Sequence, residues 1–162
     1  LYSSDFTNEF EPFSIAKANF GIAFQLFNRA TMKFQSEAGF AIGEKSVSFF
    51  NFILGGFGYA TSNNFSHFYG YDFLSLGGNS YIKSTVNFDY EVFKKHHINF
   101  TANYANIGDN IFDTVDWISI PKISGYAIGY GLETVIGPIE IKRSWSPETN
   151  NNYTWFSVGF PF

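Results

Sequence analysis

The sequence contains no cysteine, so it forms neither a disulfide nor a thiolate metal site. It is also poor in charge. Asp, Glu, Lys and Arg make up 15% of the chain, little with which to clothe an ordinary soluble surface. The balance of those charges is -4, which argues against a nucleic-acid partner. No apolar run approaches the roughly 18 residues that a membrane helix needs. The opening Leu1-Tyr2-Ser3-Ser4-Asp5 has neither a basic start nor an apolar stretch. The 162 residues are therefore expected to follow a removed leader or to be the C-terminal part of a longer chain.

What the chain has in excess is aromatic side chains: 22% of residues, as 22 Phe, 10 Tyr and 3 Trp. Mean hydropathy is nevertheless only -0.06. Strict alternation of apolar and polar residues reconciles the two. The clearest case runs Ile82, Ser84, Val86, Phe88, Tyr90, Val92 on one phase and Lys83, Thr85, Asn87, Asp89, Glu91 on the other. The same period of two places strands at about 13–27, 30–43, 80–92, 96–106, 124–135, 138–146 and 153–162. An eighth, about 47–54, is apolar on both phases, which leaves its facing open.

Strands of this length exceed the usual 5–6 residues or so of soluble sheets and suit a tilted crossing of a bilayer. Glu44-Lys45, Lys94-Lys95 and Gly137-Pro138 read as tight turns. Gly55–Asn79, Asn106–Ile123 and Pro147–Asn152 read as longer loops. Short turns on one side and long loops on the other are the outer-membrane pattern. The short link at Asn28-Arg29 is the exception, because counting strands puts it on the loop side. The expected fold is thus all-β, one domain over 1–162, an antiparallel transmembrane β-barrel of about eight strands. A soluble sandwich with one wet face is the competing reading, opposed by strand length and aromatic load.

The polar phase carries both signs, Lys17, Lys33, Lys83 and Lys142 against Glu37, Asp89, Glu91, Glu133 and Glu140. Such charges are costly in lipid but pair readily across a hydrated lumen. They read as wall pairs rather than as a catalytic dyad. His96-His97 fall at a turn where neighbours diverge, and His67 stands alone, so no metal centre is expected. Asp109, Asp113 and Asp116 with Asn106 and Asn110 are rich in oxygen but lack the EF-hand spacing, and read as a solvated loop. Arg143 falls on the otherwise lipid-facing phase of its strand, where a contact with lipid phosphate competes with simple snorkelling. Tyr126, Tyr130, Trp145 and Trp155 are candidates for interfacial belts, with Trp155 on the lumenal phase.

Leu54-Gly55-Gly56, Phe68-Tyr69-Gly70-Tyr71, Gly77-Gly78-Asn79 and Gly137-Pro138-Ile139-Glu140 together resemble motifs of the bacterial surface antigen barrel family, of the BamA and TamA type. The resemblance implies that Phe68, Tyr69, Gly70 and Tyr71 lie on a loop folded back into the lumen. Tyr69 stands where the family motif has Arg, and a Tyr there can stack or hydrogen-bond. The ending, with Phe156, Val158, Gly159, Phe160 and Phe162, resembles the terminal strand read by the barrel-assembly machinery. Placed on a family barrel of about 16 strands, the chain corresponds to the C-terminal half. In detail it is similar to the C-terminal barrels of Bacteroidetes patatin-like phospholipases, through Phe68 to Leu74, Phe93 to His97 and Ser146 to Thr149. A patatin dyad would lie outside this sequence, which has no Gly-x-Ser-x-Gly elbow.

The implied function is an outer-membrane segment that anchors, or helps translocate or assemble, a partner domain. The alternative is a complete small eight-strand structural or adhesion barrel. The implied partners are outer-membrane lipids or lipopolysaccharide, the assembly machinery, and further strands from elsewhere. No cofactor is expected.

Overall fold

The computed structural model describes residues 14–42, 51–57 and 64–159. Seven long strands form one antiparallel sheet. They are β1 (Ser14–Phe27), β2 (Ala30–Ile42), β6 (Ser80–Phe93), β7 (His96–Gly108), β8 (Ile123–Thr134), β9 (Gly137–Trp145) and β10 (Asn152–Val158). Their order is β1-β2-β6-β7-β8-β9-β10, so each pairs with the next along the chain. Three short strands, β3 (Phe52–Leu54), β4 (Phe65–Ser66) and β5 (Leu76–Gly78), form a second sheet in the order β4-β3-β5.

The alternation seen in the sequence becomes two faces. One ladder row runs Phe24, Met32, Phe88, Phe100, Ile128, Arg143, Thr154 across all seven strands. Phe100 and Ile128 in it remain largely exposed, as a lipid-facing surface requires. The adjacent row runs Thr31, Asp89, Asn99, Gly129, Lys142, Trp155 and faces the other way. On that concave side Lys83, Thr85, Asn99, Thr101, Asn103, Lys142 and Ser144 are buried. Trp155 lies on it too, its Nε1 donating to Ser144 Oγ at 2.8 Å.

The expected third wall strand at 47–54 is redirected. Its described part, Phe52–Leu54, pairs with β4 in parallel and with β5 antiparallel, while β2 pairs directly with β6 over Ala30–Phe40. The reason is its two-sided apolarity. Phe52 and Leu54 on one phase are fully buried and Ile53 on the other is half-buried, so the segment packs both faces against protein, which a wall strand between lipid and a wet lumen does not offer. The expected turn at Glu44-Lys45 lies outside the described residues.

This removes the parity exception. With 43–79 acting as one long insertion, the tight turns at Asn28-Arg29, Lys94-Lys95 and Val135-Ile136 all fall at one end of the sheet. The connections 43–79, 109–122 and 146–151 all fall at the other. The last turn differs from the expected Gly137-Pro138. Those residues open β9, where a proline without an N–H is tolerated, and Thr134 pairs with Gly137 across the turn.

The two faces predict opposite responses to one new charge. Phe100→Lys is expected to cost about 2–4 kcal/mol of folding stability in liposomes, the penalty of a cation at mid-bilayer. Asn87→Lys, on the lumenal phase of β6, is expected to cost about 1 kcal/mol or less. Denaturant titration of the membrane-inserted protein measures both.

Candidate functional site

The insertion between β2 and β6 lies on the concave face of the wall and is held there by an apolar centre and two polar anchors. In the centre, Phe52, Leu54, Phe68 and Tyr71 of the insertion pack with Tyr81 and Ala105 of the wall. The Phe52 and Tyr81 rings lie 4.9 Å apart, and Phe68 meets Tyr71 edge-on at 5.5 Å. Backbone bonds close the motif on itself. Gly56 N donates to Tyr71 O at 3.0 Å, and Phe68 N donates to Gly56 O at 3.1 Å. This wraps the Gly55-Gly56 and Phe68–Tyr71 segments into one unit.

The first anchor joins Ser66 and His67 to β2 and β6. Lys83 Nζ lies 3.2 Å from Glu37 Oε1 and donates to Ser66 Oγ at 2.6 Å and to His67 O at 3.2 Å. Ser66 Oγ in turn donates to Glu37 Oε2 at 2.8 Å, and Tyr81 OH donates to the same oxygen at 3.4 Å. The Lys83 side chain is 2% exposed and that of Glu37 10%. Burying two charges so deeply is sustainable only with these extra hydrogen bonds. The insertion supplies two of Lys83's partners, so wall and insertion satisfy each other.

The second anchor joins Tyr69 and Gly70 to β8 and β9. Lys142 Nζ donates to Tyr69 OH at 3.2 Å, pairs with Glu140 at 3.0 Å, and lies over the rings of Phe57 and Tyr69 at 5.4 and 5.5 Å. At this anchor the insertion supplies the phenol and the wall supplies the cation. Phe57 stacks on Tyr69 and also meets Trp155, which brings the insertion to the last strand. Close approach demands glycine on both sides. A Cβ on Gly125 would sit 1.8 Å from Tyr69 O, and one on Gly70 would sit 2.4 Å from Trp145 O at a φ of +84°. Thr149 Oγ1 donates to Gly70 O at 3.3 Å.

Burial, reinforced by the charge of Lys83, pushes the His67 imidazole down to about 4. Burial likewise raises the Tyr69 phenol well above its ordinary value, with Glu140 adding to it, so Tyr69 is neutral. At the rim, burial alone would raise Glu148, but the hydroxyls of Ser146 and Ser124 outweigh it and hold the carboxyl below its usual range.

The remaining sequence candidates lie elsewhere. His97 turns to the lumenal side, 2.8 Å from Asp89 and 3.5 Å from Glu133, whereas His96 meets Tyr130 on the other face. Asp116 engages Thr114 and Lys122, and Asp109 accepts from Asn79 N at 3.2 Å, so the two acids serve separate loop contacts. Of the terminal residues, Phe156 and Val158 point outward and exposed, and Gly159 N donates to Pro138 O at 2.9 Å. Phe160 and Phe162 lie outside the described residues. Arg143 is exposed on the outer face, in register with Ile128 and Thr154. Sequence reading assigned Lys83, Glu37 and Lys142 to the lumen as wall charges but did not link them to the loop. Nor did it single out Phe57 or Gly125.

Three outcomes follow. Lys83→Met leaves Glu37 buried without its partner and is expected to destabilise the docked insertion by about 3–5 kcal/mol, whereas Lys83→Met with Glu37→Leu restores most of that loss. A double-mutant cycle read by denaturant titration measures it. Gly125→Ala should expose the 51–79 segment to protease at concentrations that leave the wild type intact, because its new methyl meets the Tyr69 carbonyl. Docking should also weaken with acid. His67 is neutral when docked, whereas an undocked imidazole protonates near about 6.5. Stability contributed here is therefore present above about 6.5 and is lost as pH falls toward about 4. Hydrogen exchange of the Phe68 amide against pH reads this directly, and no change across that window would contradict it.

The fold matches a solved structure, BamA from Haemophilus ducreyi lacking POTRA domains 1–3, with a TM-score of 0.66 at 10% identity. The match covers 91% of this chain and 35% of that one, so the chain spans about a third of that structure's length. No curated protein sequence matches the chain. The model of the OMP85 superfamily matches residues 1–162, and the chain belongs to that superfamily.

Proposed function

We propose that this chain is the C-terminal wall of a larger bacterial outer-membrane barrel, plugged by its own insertion, and that the whole barrel anchors a partner domain or helps it cross or assemble at the membrane. The observation that carries this reading is the pair of free edges. Among the described residues, β1 and β10 end the seven-stranded order at opposite sides and do not pair with each other. An unpaired strand edge in hydrocarbon leaves a row of backbone groups without hydrogen bonds, each costing several kcal/mol. Further strands must therefore meet both edges. A small barrel closed by this chain alone would need a β1–β10 pairing, which the strand order of the described residues lacks.

The terminal residues Phe156, Val158, Gly159, Phe160 and Phe162 then act as the recognition strand for the assembly machinery, added edgewise to a sheet. The wall performs no chemistry. If the complete protein carries a patatin-like phospholipase domain, its dyad lies in that domain.

The test uses the full coding sequence expressed in a Gram-negative host. The protein should fractionate with the outer membrane and migrate faster on gels before boiling than after. Phe160→Gln with Phe162→Gln should lower the inserted fraction several-fold. A lipase assay should find activity only when an upstream catalytic domain is present. Recovery of the wild type from the soluble fraction without detergent would overturn the reading.

A further inference from the structure

We propose that the outer face of β7–β10 holds a phosphate-bearing lipid of the outer leaflet, its phosphate on Arg143 and an acyl chain in the groove beside it. This rests on the reading of that face as the lipid-facing wall, with the long connections outside.

Arg143 is out of place in its row. Its ladder partners are Ile128 on one side and Thr154 on the other, and the flanking outward residues of β9 are Ile141 and Trp145. Outward positions 98–104, 126–132, 139–145 and 154–158 of these strands carry one charge, Arg143, and no acid. Among the described residues no carboxylate lies within ion-pair distance of it. The acid of the nearby rim loop, Glu148, is engaged by Ser124 and Ser146. An unpaired guanidinium on a lipid face costs about 2–4 kcal/mol at mid-bilayer and little near the interface. Arg143 sits two residues before the outer end of β9 at Trp145, within reach of that interface.

The surroundings suit a lipid better than free water. A groove of about 450 Å3, the size of an ordinary ligand site, is lined by Ile98, Ile128, Tyr130, Ile141 and Thr154 and has Arg143 on its wall. Toward the outer end the groove gives way to an aromatic band. Tyr126 stacks on Trp145 at 6.0 Å, and its hydroxyl lies 3.0 Å from that of Tyr104. Amphipathic rings of this kind settle at headgroup depth. The row thus presents, from the outer end inward, a headgroup belt, a fork of N–H donors matched to phosphate, and an open apolar groove against which an acyl chain can lie. Charge complementarity picks an anionic headgroup. Arg143 shares the groove with Ile98, Ile128 and Ile141, and that apolar lining favours a lipid over a soluble anion.

The experiment places the full-length protein in phosphatidylcholine nanodiscs doped with bis-phosphorylated lipid A and counts the lipids retained by native mass spectrometry. Wild type should retain lipid A over phosphatidylcholine. Arg143→Gln should lower that preference about tenfold, the worth of one charge-assisted contact. Arg143→Lys should keep part of it, since a point charge replaces the fork. Dephosphorylated lipid A should be retained no better than phosphatidylcholine. Displacement of lipid A by excess inorganic phosphate would reduce the site to a simple anion contact and overturn the proposal, as would equal retention by wild type and Arg143→Gln. Quenching of tryptophan fluorescence by brominated acyl chains, run on both proteins, checks the membrane reading separately. Its absence in the wild type would sink the assignment of this face to lipid, not merely the phosphate contact.

Discussion

A strand in hydrocarbon has no solvent for its peptide groups, so each must bond to a neighbouring strand. The rest of this structure depends on that constraint. It demands long, continuous, in-register pairing, and the seven-stranded ladder delivers it, with register shifts among the described residues only beside the turns, at Gln25/Phe27 and Glu91/Phe93. It frees the side chains to divide by face, with Phe100 and Ile128 to lipid and Thr101 and Ala127 to the interior. It also excludes any segment that cannot join the ladder.

The insertion is that excluded segment, and its chemistry follows from where it goes. A seven-stranded wall with a polar inner face holds charges that neither lipid nor a dry core would accept. The insertion brings an apolar cluster of Phe52, Leu54 and Phe68, which needs cover, together with Ser66, His67 and Tyr69, which satisfy wall charges. Each side meets a need of the other. Lys83 without Ser66 and the His67 carbonyl would keep only Glu37, and Phe52 without Tyr81 would face water. Glycine at 125 and 70 lets the two backbones approach where a side chain would hold them apart.

Much of the wall was legible because its code is short-ranged. Two-residue alternation needs no knowledge of the partner strand, so β1, β2 and β6–β10 and the lumenal placement of Lys83, Lys142 and Trp155 could be read directly. The third strand misled because apolarity on both phases around Phe52–Leu54 signals burial without saying against what. The unexplained short link at Asn28-Arg29 was the clue, since removing one strand from the wall restores the alternation of turns and loops. The resemblance implied a lumenal loop for Phe68–Tyr71 and a Tyr69 free to stack or hydrogen-bond, but named no partner for it. The contact of Lys142 with Tyr69 is a long-range pairing that periodicity does not encode. Phe57 and Gly125 matter only through contacts made after folding, so they carried no local signal.

The central claim is that the insertion is docked inside the barrel on the β2–β6 wall. The chain has no native cysteine, which makes engineered thiol pairs clean to read. Ser66→Cys combined with Thr85→Cys, on the lumenal phase of β6, should be joined by a short bifunctional thiol reagent in intact membranes. Ser66→Cys combined with Val86→Cys, one residue along on the lipid phase, should not be. Joining of the second pair but not the first would contradict the account. So would joining of neither pair while the thiol introduced at position 66 reacts freely with a membrane-impermeant reagent.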